Sequence, residues 1–268
     1  MTVANIITLL VTGLGVGFAG GLLGVGGAFI MTPVQYMVFT DMGLPPDMAI
    51  KLAFGTSLMV ILPTAASGAW RHHGEGAVWW KAALIMGGCG LACAFGGATL
   101  ASYLPGVTLK IAFGAVVMAA GVGMLIRRPM EASEEPKNNP WLWAVWAVPI
   151  GVVSGLVGLG GGILAVPIMV LALKFKMHDA VATSLAMVML TSIGGVIGYI
   201  VNGFGLPGLP AHSIGYVHLE TWALLAAASI GMAQLGAKTA YRLPANKLRY
   251  IFIGVMFYMG LRMLGTFG

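Results

Sequence analysis

The chain has 268 residues, of which 59% are hydrophobic and only 8% charged, with a mean hydropathy of +0.93 and a formal net charge of +6. An ordinary soluble domain carries roughly 25% charged residues, so the composition excludes one and implies a protein that lives in a lipid bilayer. The basic residues lie in short stretches between apolar runs, where they orient membrane segments, which excludes a nucleic-acid surface.

The first apolar run covers residues 4–23. It has the apolar length of a signal peptide but no Lys or Arg ahead of it, and it reads as the first span. It runs straight into "GLLGVGGAFIMTPV" (Gly21 to Val34), the densest glycine cluster so far, although each glycine costs a helix about 1 kcal/mol relative to alanine. Apolar segments follow at 28–40, 50–69, 78–101 and 108–126. The polar stretch "RRPMEASEEPKNNP" then reads as a linker. Beyond it come segments at 141–157, 162–174, 179–201, 217–240 and 247–267, with no soluble domain left over. A spanning helix takes about 20 residues, so the second segment of each series is too short to span comfortably.

Several residues along this path invite chemistry. Ser67, in "AASG", faintly resembles the nucleophile of an intramembrane serine protease. Such a nucleophile needs a histidine base within reach, and His72, His73, His178, His212 and His218 all fall in loops or at segment ends. His72 and His73, beside Arg71, suit a metal or a pH sensor less well than an interfacial polar pair. Cys89 and Cys93 lie one turn apart on one helical face. They make no disulfide framework, and a soft-metal or sulfur relay is set against their use as small packing residues. The 18 methionines are scattered without a repeated Met-x-x-Met pattern and suit gap filling. The glycine clusters superficially look like dinucleotide loops, but that fingerprint needs a soluble strand-turn-helix unit. No cofactor and no metal are expected.

The chain repeats itself. "GLLGVGGAFIMTPV" aligns without a gap on "GLVGLGGGILAVPI" (Gly155 to Ile168), with Pro33 over Pro167. "FGTSLMVILPTAASG" (Phe54 to Gly68) matches "VATSLAMVMLTSIGG" (Val181 to Gly195), and "YLPGVTLKIAF" (Tyr103 to Phe113) matches "RLPANKLRYIF" (Arg242 to Phe252). The organisation is an N-terminal repeat (1–128), a cytoplasmic linker (129–140) and a C-terminal repeat (141–268), forming one integrated transmembrane domain.

Charge decides how the short segments run. If the first two segments of each half form a hairpin that returns to its starting face, one side carries Arg71, Lys81, Arg127, Arg128, Lys137, Lys174, Lys176, Lys238, Arg242, Lys247 and Arg249, and the other only Lys51, Lys110 and Arg262. If the pair crosses as one unit, the split is nearly even and the positive-inside rule is hardly obeyed. The hairpin reading gives an odd number of crossings per half. The expected fold is therefore an all-α membrane protein of two inverted repeats, each of about five helical segments with a Gly-rich hairpin at its start. Both termini lie outside and the linker is cytoplasmic. Such repeats characterise secondary transporters.

In lipid, irregular backbone survives only where protein or a water-filled cavity surrounds it. The Gly-rich breaks therefore read as hairpin tips whose following helices aim free N–H groups and a positive dipole end inward, suited to an anion. The candidate substrate-binding residues are Gly24, Gly26 and Gly27 with Thr56, Ser57 and Thr64, and in the second copy Gly158, Gly160 and Gly161 with Thr183, Ser184 and Thr191. The competing reading makes the glycines packing contacts and the hydroxyls bonded to their own helix. The eight acidic residues all lie at segment ends or in loops, leaving little to hold a bare cation. On the anion reading, Gly26→Ala and Gly160→Ala impair binding while sparing stability.

The two Gly-rich motifs, each followed by "TSL", a Thr/Ser/Gly-rich helix and an "LP…L(K/R)" turn, resemble the TauE/SafE sulfite exporter family over nearly the whole chain. That resemblance implies a bacterial-type inner-membrane transporter of small sulfur-containing or organic anions such as sulfite, sulfoacetate or related sulfonates. Its partners would be the anion and the bilayer, with a homo-oligomer left open. One departure is Ala28, where the second copy has Gly162, pointing to a stiffer or tighter first tip.

Overall fold

The computed structural model describes residues 1–126, 138–242 and 245–263, so all but the last residues of the expected linker lie outside the described residues. The described chain is almost entirely helical: α1 (Val3–Leu23), α2 (Ala28–Asp41), α3 (Pro46–Gly74), α4 (Trp80–Tyr103), α5 (Gly106–Ile126), α6 (Pro140–Val157), α7 (Gly162–Leu171), α8 (Met177–Gly203), α9 (Leu219–Ala240) and α10 (Ala245–Met263). A two-residue ribbon, β1 (Ser213–Ile214) paired antiparallel with β2 (Val217–His218), precedes α9.

Local chemistry sets the ends. Thr2 accepts the Asn5 N–H at 3.2 Å to open α1, and Asn139 accepts the Trp141 N–H at 3.0 Å to open α6. Pro46 and Pro140 take the first helical position, where the missing N–H would be unsatisfied anyway. Each expected segment has its helix among the described residues, with ends that shift by up to five residues, and residues 264–267 of the last expected segment lie outside the described residues. Helix α3 outruns 50–69 at both ends, so His72 and His73 lie in its last turn instead of a loop. Helix α7 stops at Leu171, short of 174, because Lys174 has a φ of 63° and the Phe175 N–H turns back to Met169 O at 2.9 Å. The segment expected from 217 begins as helix at Leu219, after the ribbon.

Among the described residues six stretches are long and apolar enough to cross a membrane: α1, α3, α4, Gly106–Gly123 within α5, α6 and α8. Trp70, Tyr103 and Trp141, each more than three-quarters exposed, sit at helix ends, where aromatic residues line the membrane–water boundary.

Packing assigns equivalent partners to the two halves. Helix α1 lies along α9 as α6 lies along α4, and α3 crosses α8 while α5 meets α10. Helices α3 and α8 run antiparallel. Phe54 meets Tyr199 with ring centroids 6.4 Å apart, Leu58 lies against Gly195, and farther along α3 Gly68 faces Leu185. At one end of the bundle the last turn of α3, the first turn of α8 and the residue after α9 meet through His72, His178 and Tyr241. At the other, Phe39 meets His218, Asp47 accepts the Gly106 N–H at 2.7 Å, and Lys51 donates to Ser102 O at 2.7 Å.

Two facing glycine tips as the candidate functional site

Both breaks fall at the residues the sequence indicates. Helix α1 ends on Gly24 and α6 on Gly158, each in the left-handed region, and α2 and α7 begin after Gly27 and Gly161, also left-handed. With Gly26 (φ 69°) and Gly160 (φ 71°), each tip has three positive-φ glycines, a path that any residue with a Cβ takes only with strain. The tips touch. A Cβ built on Gly162 would run into Val25 Cα and lie 2.9 Å from Gly24 O, which is why this position is glycine while its counterpart Ala28 holds a buried methyl. The second tip is thus the one that requires the missing Cβ, accounting for the departure between the copies.

The tip N–H groups are largely spare. Among the described residues, Gly26, Gly27 and Ala28 in the first tip and Gly161, Gly162 and Ile163 in the second find no acceptor for their backbone N–H. All six residues are buried. The tip carbonyls, by contrast, are held by α8. Ser184 Oγ donates to Gly24 O at 2.6 Å, and Thr191 Oγ1 donates to Gly160 O at 3.0 Å, each hydroxyl also lying against a carbonyl of its own helix.

The remaining expected hydroxyls are engaged elsewhere. Thr56 Oγ1 accepts the His218 N–H at 2.9 Å and Thr183 Oγ1 accepts the Trp79 N–H at 3.0 Å. These equivalent bonds fasten the residues that precede α9 and α4. Ser57 is shared by Thr32 and Gln35 of α2 at 2.9 and 3.1 Å. Thr64 bonds to Val60 O of its own helix and to Ser229 Oγ at 2.7 Å. Of the six hydroxyls, the structure brings Ser184 and Thr191 to the tips.

The expectation that Ala at Gly26 or Gly160 would spare stability is corrected. A Cβ on either meets the Ile61 side chain, at 2.9 Å from Gly26 and 2.8 Å from Gly160, with Val188 behind it. Ile61 and Val188 occupy equivalent places in the two repeats, and they cap both tips with aliphatic surface. The other glycines divide as the competing reading predicts: Gly17 and Gly21 let α1 press against the backbone of α9 at Ser229 and Ala233.

Among the described residues, three buried side chains that sequence reasoning passed over have an atom without a partner: Ser192 Oγ, Ser154 Oγ and Gln35 Oε1. A buried unsatisfied polar group costs about 1–3 kcal/mol. Ser192 and Ser154 lie against the second tip, where the first copy has Ala65 and Gly20. The signal that could have found them is this difference in polarity between otherwise matching copies.

His72, at one end of the bundle, is buried in protein, and it latches α1 to α3. Burial, aided by the charges of Glu75 and Asp179, pushes the Tyr241 hydroxyl up to about 12; the hydroxyl donates to His72 Nδ1 at 2.6 Å, because the ring proton is on Nε2, which faces a carbonyl. His72 Nε2–H then donates to Gly21 O at 3.1 Å. Tyr199, its counterpart in α8, donates to Gly155 O at 3.0 Å.

The alternative chemistries find no constellation. Ser67 Oγ donates to Ile230 O at 2.9 Å, and none of its hydrogen bonds is to a histidine. Cys89 and Cys93 are free thiols on one helix. Among the described residues no three His, Cys, Asp or Glu side chains gather to hold a metal ion, and no carboxylate, lysine or arginine is fully buried.

Comparison with known proteins agrees with this architecture. The family model described as "Sulfite exporter TauE/SafE" matches residues 9–263. The chain is 32% identical over 260 residues to a probable membrane transporter protein of Methanocaldococcus jannaschii, covering 96% of this chain and 94% of that one. It is 28% identical over 245 residues to a probable membrane transporter protein of Haemophilus influenzae, covering 91% and 92%. A probable membrane transporter protein of Bacillus subtilis, YdhB, is 28% identical over 189 residues, 69% of this chain and 74% of that one. No solved structure matches the chain.

Proposed function

The chain belongs to the TauE/SafE family of membrane transporters, and from that premise we propose a secondary transporter that exports a small sulfur-containing or organic anion, such as sulfite, sulfoacetate or a related sulfonate. It works in the cytoplasmic (inner) membrane of a bacterial-type cell, by alternating access. It is a multi-pass membrane protein and not an enzyme, so the work to be explained is passage. The observation that carries the reading is the meeting of two broken-helix N-termini in the protein interior, with spare N–H groups and no buried carboxylate among the described residues. N–H groups and positive dipole ends stabilise negative charge, and in a dry interior they do so far more strongly than in water. The family's name narrows the anion to sulfur oxyanions and their organic relatives.

The arrangement of helices supports inverted repeats. Equivalent helices α3 and α8 run antiparallel, and the helix ends and connections that carry Arg71, Lys81, Lys174, Lys176 and Lys238 lie toward one end of the bundle. The positive-inside rule supports that end as the cytoplasmic one, with the linker on the same side and both termini outside. Movement of one repeat against the other about the tip contact opens the site to each side in turn.

The test is flux of radiolabelled sulfite, with sulfate, thiosulfate, sulfoacetate and taurine as competitors, into proteoliposomes under imposed proton or sodium gradients. Saturable sulfite flux inhibited by a related sulfonate is expected. Cation flux with no anion dependence would refute the reading.

A further inference from the structure

We propose that the anion is held on the second tip, at the start of α7, with the hydroxyls of Ser154 and Ser192 as its side-chain donors, and that the first tip is a fixed support. This rests on the reading of the chain as an anion transporter and assigns the binding to one of its two tips.

The first observation is the pair of orphan hydroxyls. Ser192 Oγ and Ser154 Oγ are buried, at 0% and 1% residue exposure, and neither has a hydrogen-bond partner. Serines and threonines in membrane helices ordinarily satisfy themselves on the preceding turn. Thr64, Thr191 and Ser229 do so here, at 2.9, 2.9 and 3.3 Å. Ser192 and Ser154 are helical too, yet do not. Both sit at the second tip: Ser192 Oγ is 3.0 Å from where a Cβ on Gly160 would lie, and Ser154 Oγ is 3.6 Å from the corresponding point on Gly161.

The second observation is that the first tip lacks this equipment. At the place of Ser154 it has Gly20, whose added Cβ would come within 3.1 Å of Gly26 C and 3.2 Å of Gly27 N. The first tip is pressed onto the backbone of α1 with no room for a donor. The second stands off α6 by a side chain that ends in a hydroxyl. At the place of Ser192 the first copy has Ala65.

Two spare O–H donors beside the spare N–H groups of Gly161, Gly162 and Ile163 suit an oxyanion with several acceptor oxygens. With no buried lysine or arginine among the described residues, recognition works through donors instead of a formal positive charge. Ile61 Cδ1 lies 2.8 Å from the Gly160 Cβ position, so its side chain must rotate aside to admit the anion.

The experiment measures thermal stabilisation of the purified full-length protein in detergent against sulfite, sulfate, thiosulfate, sulfoacetate and taurine, for wild type, Ser192→Ala, Ser154→Ala, the double variant and Ser67→Ala. Removing a hydroxyl that bonds to nothing leaves the melting temperature without anion unchanged or raised. Each tip variant should weaken the apparent Kd of the stabilising anion about fivefold to tenfold, the double variant at least thirtyfold, and Ser67→Ala not at all. Ser192→Cys, which keeps the bulk with a weaker donor, should fall between wild type and Ser192→Ala. A double variant with wild-type Kd overturns the assignment and leaves the transporter reading standing. If no anion of the panel stabilises the wild type, both fall.

Discussion

The two tips share one backbone path and differ in what surrounds it. Each has three left-handed glycines, an aliphatic cap from Ile61 and Val188, and a carbonyl held by a hydroxyl of α8. The first lies directly on α1 across Gly20, and the second stands on Ser154 with Ser192 beside it. The first tolerates a methyl at Ala28, whereas the second needs Gly162 bare so that Val25 can approach. The sequence repeat supplies the tip twice, and on the proposal above the departures between the copies mark where the work is divided. Shared features such as the Thr56 and Thr183 bonds to the residues before α9 and α4 are structural; the unshared, unpaired hydroxyls are the functional candidates.

The largest effect expected from breaking this comparison is at the tip contact. Gly162→Ala places a methyl against the Val25 backbone, which has no flexible end to give way, and should cost about 3 kcal/mol as overpacking. The reverse change at the matching position, Ala28→Gly, should cost about 1 kcal/mol through helix propensity. Melting curves in one detergent compare them directly; equal losses would mean that the tips are packed alike. Next come Gly26→Ala and Gly160→Ala, each forcing a Cβ into a positive-φ position for about 1–2 kcal/mol, with contact against Ile61 added. Because both meet the same side chain, Ile61→Ala should recover part of the loss in each, and recovery in only one would show that Ile61 caps a single tip. The smallest effects are at the carbonyl clasps: Ser184→Ala and Thr191→Val should each lower stability by about 1 kcal/mol for one hydrogen bond removed. Similar losses in the two are expected, since both clasps are present in the native fold.

Much of this was legible in the residues, and the physical reason is repetition. The gapless match of the Gly-rich stretches located both breaks to the residue, because a run of left-handed glycines can end a helix and start another nowhere else in these segments. Helix ends were less legible. His72 and His73 read as a polar loop, but α3 continues through them because His72 finds Gly21 O and Tyr241 within the bundle. Ile61 and Val188 carried no signal, since an aliphatic residue that caps a tip and one that faces lipid look alike in an apolar sequence. The hydroxyls read as six equivalent donors, yet Ser57 turned to Gln35, which has no polar counterpart in α7, and Thr64 to Ser229, whose counterpart is Gly90.

On the proposed function the anion meets the protein at the glycine tips. Hydrogen–deuterium exchange in detergent, with and without saturating sulfite, tests it most directly. Sulfite should slow exchange of peptides covering residues 158–165, with a smaller change in 24–31, since the spare N–H groups of the second tip become bonded to the ligand. Protection confined to other segments, such as the α3–α4 connection around His72 or the Cys89 to Cys93 turn, with both tips unchanged, would contradict it.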